Sequence, residues 1–225
     1  MNPAEKFRDN CGFGLLAQID NRPSHQLLKD SIKALTRMMH RGAIAADGKS
    51  GDGSGLLCSM PTGFLSKVAE EQEISLPEQF AVAVIFTRDA KKQLPVFEKI
   101  CGKNDLQILF TREVPINTEA LGEYALNRLP QIFQVFVVPA ALIATRRFDA
   151  LLYLTRKEVE KQFSSDPHFY IPSFSRNLIS YKGLVMPTYI ETLFPDLQDP
   201  DFEISFALFH QRFSTNTLPQ WKLAQ

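Results

Sequence analysis

Cys11 heads the apolar, glycine-punctuated run Gly12-Phe13-Gly14-Leu15-Leu16-Ala17, and ten mostly polar residues stand in front of it. Residues 1–10 are too short to add a core element and read as a removable leader. If the bond between Asn10 and Cys11 is cut, Cys11 carries a free α-amine beside its own thiol. An α-amine has a reference pKa of roughly 7.7–8.0, so near neutrality a useful fraction can take the thiol proton, directly or through a water. Such a terminus is a nucleophile with its own base and needs no histidine. Gly12 and Gly14 leave no Cβ between the backbone and an incoming substrate. Free cysteines are more often small buried apolar groups, so the thiol alone decides nothing.

Two further constellations carry chemistry. Residues 40–55, His-Arg-Gly-Ala-Ile-Ala-Ala-Asp-Gly-Lys-Ser-Gly-Asp-Gly-Ser-Gly, are rich in glycine and imply a tightly folded loop with several positive-φ positions. The spacing fits neither GxxxxGK[ST] nor an EF-hand. One reading is a turn-rich connector. The other places Arg41 and the Asp52-Gly53-Ser54-Gly55 turn in the wall of a pocket over Cys11. Near the other end, His210-Gln211-Arg212-Phe213-Ser214-Thr215-Asn216-Thr217 follows an apolar run. An arginine there offers a rigid fork to a carboxylate, ringed by neutral hydrogen-bonding groups, which suits an amino-acid substrate. The plainer reading is a strand terminus with a solvated arginine.

Composition narrows the partners. With 25 basic and 25 acidic residues the formal net charge is zero, so no overall field recruits nucleic acid or an anionic membrane. Three cysteines without CxxC spacing argue against a disulfide framework or a zinc site and fit a reducing cytoplasm. Cys58 and Cys101 read as buried thiols. The first residues lack an apolar signal core, and no later window approaches the length of a membrane span.

These residues need elements to hold them. Residues 12–19 read as a buried strand, closed by the turn Asp20-Asn21-Arg22-Pro23. Ser24 can cap a helix over 25–39, whose Leu27, Leu28, Ile32, Leu35, Met38 and Met39 recur at helical spacing. Further strands are expected at 56–60, 80–87, 106–111, 132–138, 169–173, 178–181 and 184–185. Helices are expected at 64–72, 89–101 with an interruption at Pro95, 118–128, 147–163 and 186–194. Residues 195–200 read as a loop, and a last strand at 202–209 delivers Arg212 at its carboxyl end.

Together and in this order, Cys11-Gly12-Phe13-Gly14, His40-Arg41-Gly42 with Gly51-Asp52-Gly53-Ser54-Gly55, and the His210–Thr217 string resemble the amino-terminal glutaminase domain of glutamate synthase large subunits, over essentially the whole chain. The resemblance implies a class II glutamine amidotransferase with the α+β fold of the N-terminal-nucleophile hydrolases, an αββα sandwich of antiparallel sheets. It implies a propeptide at 1–10, a partial amidotransferase domain over 11–225 and an inserted α/β region at about 60–165. By the same resemblance Cys11 attacks the side-chain amide of L-glutamine. Arg212 binds the substrate carboxylate and Thr215 adds a hydrogen bond; Arg41, from the glycine-rich stretch, is counted with them as a substrate-binding residue.

Partners and cofactors follow from the resemblance as well. Ammonia would pass to a downstream synthase domain of the same chain, which aminates 2-oxoglutarate with FMN and an iron–sulfur cluster held outside these residues; a reductase small subunit is a further candidate partner. Family members continue into an Asn-Gly segment that supplies oxyanion donors, so this piece is expected to show little or no glutaminase activity. Two other readings stand beside it: a different class II amidotransferase, or a non-catalytic interaction module with an inert Cys11.

Overall fold

The computed structural model describes residues 11–214 and 218–224. Two four-stranded antiparallel sheets and the helices packed on them make an α+β fold. The first sheet holds β1 (Gly12–Ala17), β2 (Ser50–Ser59), β7 (Leu178–Val185) and β8 (Phe206–Gln211) in the order β1-β8-β2-β7. The second holds β3 (Ala81–Thr87), β4 (Leu106–Glu113), β5 (Gln131–Pro139) and β6 (Tyr170–Ser175) in the order β4-β5-β3-β6. The short turn between β6 and β7 carries the chain from one sheet to the other.

Helix α1 (His25–Arg37) starts where Ser24 accepts the Leu27 N–H, and it buries Leu27, Leu28, Ile32 and Leu35. The following 3-10 turn, Met39–Arg41, buries nothing and leaves Met39 at the surface. On the first sheet Phe209, Leu56 and Tyr181 lie side by side in register. Together with the α1 leucines and Val82, Val84 and Phe136 of the second sheet they form one core. The outer face of the second sheet packs a separate core under α3 (Ala90–Lys103) and α5 (Thr145–Gln162), through Phe97, Phe148 and Val159. At roughly 1.5–3 kcal/mol for each fully buried large apolar side chain, these two cores account for most of the favourable burial.

A buried polar network ties the layers together. The Arg112 guanidinium of β4 grips the Asp196 carboxylate with two hydrogen bonds, of 2.6 and 2.9 Å. Tyr181 of β7 donates to the same carboxylate at 2.7 Å, and Gln134 of β5 bridges Tyr181 and Arg112. Burial, together with the Asp196 charge, raises the Tyr181 hydroxyl well above its ordinary pKa.

Several expectations need correction. The strand at 12–19 is not buried. β1 is a sheet edge, ends at Ala17 and leaves Phe13 and Leu15 74% and 62% exposed, because only its Gly12–Gly14–Leu16 face meets the core. The glycine-rich stretch is not one long loop: from Ser50 onward it is strand β2, and only Gly48 and Gly53 take positive φ. Gly55 has no room for a Cβ against Lys182 of the neighbouring strand, and Gly53 has none against Ala224, so close approach demands glycine there. Pro95 does not interrupt α3, which runs through it while Phe97, Ile100 and Cys101 stay buried. Residues 118–128 break into a 3-10 turn, Thr118–Ala120, and a short α4 (Glu123–Leu126). There a Cβ at Gly122 would strike the Asp47 carboxylate, which accepts the Tyr124 N–H. The last strand begins at Phe206 and reaches Gln211, since Phe202 and Ile204 are buried before the ladder starts.

Among the described residues no helix is long and apolar enough to cross a membrane.

Candidate active site

Cys11 sits at the mouth of β1, where the register pairs Gly12 with Gln211 of β8. That pairing sets the thiol beside the residues leaving β8. The Phe213 N–H donates to Cys11 Sγ at 3.4 Å, linking positions 202 residues apart. Arg212, immediately before Phe213, donates its own N–H to the Gly53 carbonyl at 2.9 Å and Nη1 to the Asp52 carbonyl at 3.3 Å. Sequence neighbours on two adjacent strands thus bring the thiol and the guanidinium-bearing residue to one end of the first sheet.

Asp52 organises the surrounding backbone. It is 5% exposed, and its Oδ2 accepts the Ser214 N–H at 2.7 Å and the Ala43 N–H at 3.3 Å. One carboxylate therefore ties the segment after β8 to the segment after Arg41. Such charge-assisted bonds are shorter and stronger than neutral ones.

Arg41 closes a second side. A Cβ on Gly12 would lie 3.2 Å from Arg41 Cβ and Cγ and from Met38 Sδ, so the arginine stem rests over the first residue of β1. Gly42 is required for a different reason: a Cβ there would run into the Gln211 side chain and lie 3.2 Å from the Arg212 carbonyl. Gln211 is buried and donates Nε2 to the Arg212 carbonyl at 3.1 Å, while its Oε1 has no partner among the described residues.

Of the four residues singled out from sequence, Cys11, Arg41 and Arg212 converge; Thr215 lies outside the described residues. Sequence reasoning missed Phe213, whose contribution is a main-chain N–H, and Gln211. It named Asp52 only as pocket wall. A carboxylate between glycines in a strand that runs into the core was the available signal, because a buried Asp must find donors.

The other two thiols lie apart. Burial pushes Cys58 and Cys101 each up to about 12, so neither is a thiolate near neutrality. Among the described residues no group of three or more His, Cys, Asp or Glu is placed to hold a metal.

Residues 11–225 match the family of class-II glutamine amidotransferases. The chain belongs to that family. As a class-II amidotransferase chain it is 40% identical to a ferredoxin-dependent glutamate synthase of Cyanidium caldarium, across 98% of its own length and 15% of that protein. It is 36% identical to the large chain of a glutamate synthase [NADPH] of Azospirillum brasilense, across its whole length and 15% of that protein. The corresponding figures for a glutamate synthase [NADH] of Saccharomyces cerevisiae are 35%, 96% and 11%. This amidotransferase chain therefore spans about 15% or less of the relatives it matches.

Proposed function

We propose that the chain is the glutaminase part of a glutamate synthase and that Cys11 is its nucleophile. The observation that carries this reading is the Phe213 N–H on Cys11 Sγ, with Arg212 next in sequence. Removal of residues 1–10 frees the Cys11 α-amine, which takes the thiol proton. The thiolate adds to the δ-carboxamide carbon of L-glutamine. The C–N bond then breaks, the protonated amine returns its proton to the leaving nitrogen, and ammonia departs from a thioester. Water hydrolyses the thioester to glutamate and restores the thiol. Arg212 holds the substrate α-carboxylate as a fork, with Thr215 adding a hydrogen bond, and Arg41 forms the wall above Gly12.

In the whole protein the ammonia passes to a synthase domain of the same chain, acting in the cytoplasm. FMN and an iron–sulfur cluster, which supply electron transfer there, belong to that domain: Cys58 and Cys101 lie in separate cores and do not fit as cluster ligands. The relatives carry ferredoxin, NADPH and NADH in their names, so the donor, and with it any reductase small subunit, is set outside these residues. The inserted region at about 60–165 is part of this proposal too; β6, which completes its sheet, comes from beyond that range.

The test uses the parent protein. Intact mass should lack residues 1–10, and a glutamine-analogue diazoketone should label Cys11 and stop glutamate release; Cys11→Ser should abolish both label and release. A retained leader with an unlabelled Cys11 overturns the reading.

A further inference from the structure

Arg88, Arg128, His168 and Lys222 line a cavity of about 300 Å³ backed by Phe86 and Trp221. The four come from four separate segments: the residue after β3, the connection from α4 to β5, the connection from α5 to β6, and the 3-10 turn Trp221–Leu223. None of the described residues lining this cavity is acidic. Among the described residues Arg88 donates to the Asn127 carbonyl at 3.4 Å, and Arg128 to the Tyr124 carbonyl at 3.2 Å while stacking on the Tyr124 ring at 3.9 Å. The acids next to Arg88 and His168 in sequence are already engaged. Asp89 caps α3 through the Lys92 N–H, and Asp166 accepts from Gln93 and from the His168 N–H.

Gathering like charges around a concavity costs energy in the empty state and raises the local potential for an anion. Guanidinium groups bound only to neutral carbonyls keep donors for an oxyanion. The floor is rigid, since the Trp221 indole N–H donates to the Ala125 carbonyl at 3.1 Å and its ring meets Phe86 edge-on. A volume at the low end for small-molecule sites has room for a free oxyanion or for a small organic molecule that carries one.

We propose that this cavity binds a small oxyanion, a phosphate or carboxylate group, at a site separate from Cys11, with Arg88 and Arg128 as its principal ligands. The site shares no lining residue with the Cys11, Arg41, Asp52 and Arg212 cluster, so it stands or falls independently of the glutaminase reading.

The parent protein is titrated calorimetrically at constant ionic strength with inorganic phosphate and, separately, with succinate. A saturable change with either supports the site, and the anion that gives it identifies the oxyanion class. The Arg88→Ala/Arg128→Ala variant should weaken that binding about tenfold or more. Arg146→Ala/Arg147→Ala, which removes the same charge from α5, should leave it unchanged, as should the melting temperature of both variants. No saturable response to either anion overturns the proposal, as does an equal loss in both double variants. Lys222→Gln, expected to weaken binding without touching either guanidinium, keeps the test open if the first variant folds poorly; undiminished affinity in it would then count against the site.

Discussion

The Asp52 carboxylate accepts the Ser214 N–H at 2.7 Å, so a residue of β2 fixes the path of the chain just beyond β8. The same oxygen accepts the Ala43 N–H. Asp52→Ala leaves two donors to find water at a site that is nearly closed, a loss of about 1–3 kcal/mol. Urea unfolding should register it. If Asp52 positions the Phe213 N–H and Arg212, diazoketone labelling of Cys11 in the parent protein should slow even at temperatures where the variant is fully folded, and wild-type labelling speed would refute that role.

Gly42 and Gln211 form a coupled pair. Gly42→Ala forces its Cβ into the Gln211 side chain and should cost about 1–3 kcal/mol. Gln211→Ala removes the obstacle, so the double variant should recover part of that loss. A double-mutant cycle measures this directly, and simple additivity of the two changes would show that the clash is relieved elsewhere.

Arg112 and Asp196 make the most buried ion pair among the described residues, with side chains 16% and 4% exposed. Arg112→Ala strands a carboxylate that Tyr181 alone cannot satisfy and should cost about 3–5 kcal/mol. Lys67→Ala, which breaks the exposed bridges to Asp199 and Asp201, should barely move the melting temperature. Thermal melts of the two variants separate these cases.

Lys182 predicts a pH dependence. Burial, with repulsion from Arg156 and Arg212, lowers it to about 7, although Nζ donates to the Lys222 carbonyl at 2.9 Å and faces the Tyr170 ring. A folded-state value below the unfolded one means the unfolded chain holds the extra proton between about 7 and 10.5. The cost of burying the charge is thus complete below pH 7 and is relieved as pH rises through that window. Lys182→Met should be the more stable protein near pH 6 and lose its advantage toward pH 10. Parallel pH profiles for the two proteins would contradict the assignment.

Much of this was legible from residues alone. Ser24 with the leucines of α1 announced the first helix, and the apolar run of β3 announced a strand, which the structure buries on both faces, because there local pattern and tertiary burial agree. They disagree in β2. Glycines there signal turns by composition, yet they serve to admit Lys182 and Ala224, contacts made by residues more than a hundred positions away. Cys11 and Arg212 could be singled out because the proposed chemistry runs through their side chains. The Phe213 contribution could not, since any residue but proline at that position presents the same N–H.

The pairing of β1 with β8 also sets a schedule. Translation proceeds at about 5–20 residues per second, so roughly ten to forty seconds separate the emergence of Cys11 from that of Phe213. Throughout that interval the nascent thiol waits on the ribosome without the strand that frames it, and the Phe213 N–H reaches Sγ only after nearly all of these residues have been made.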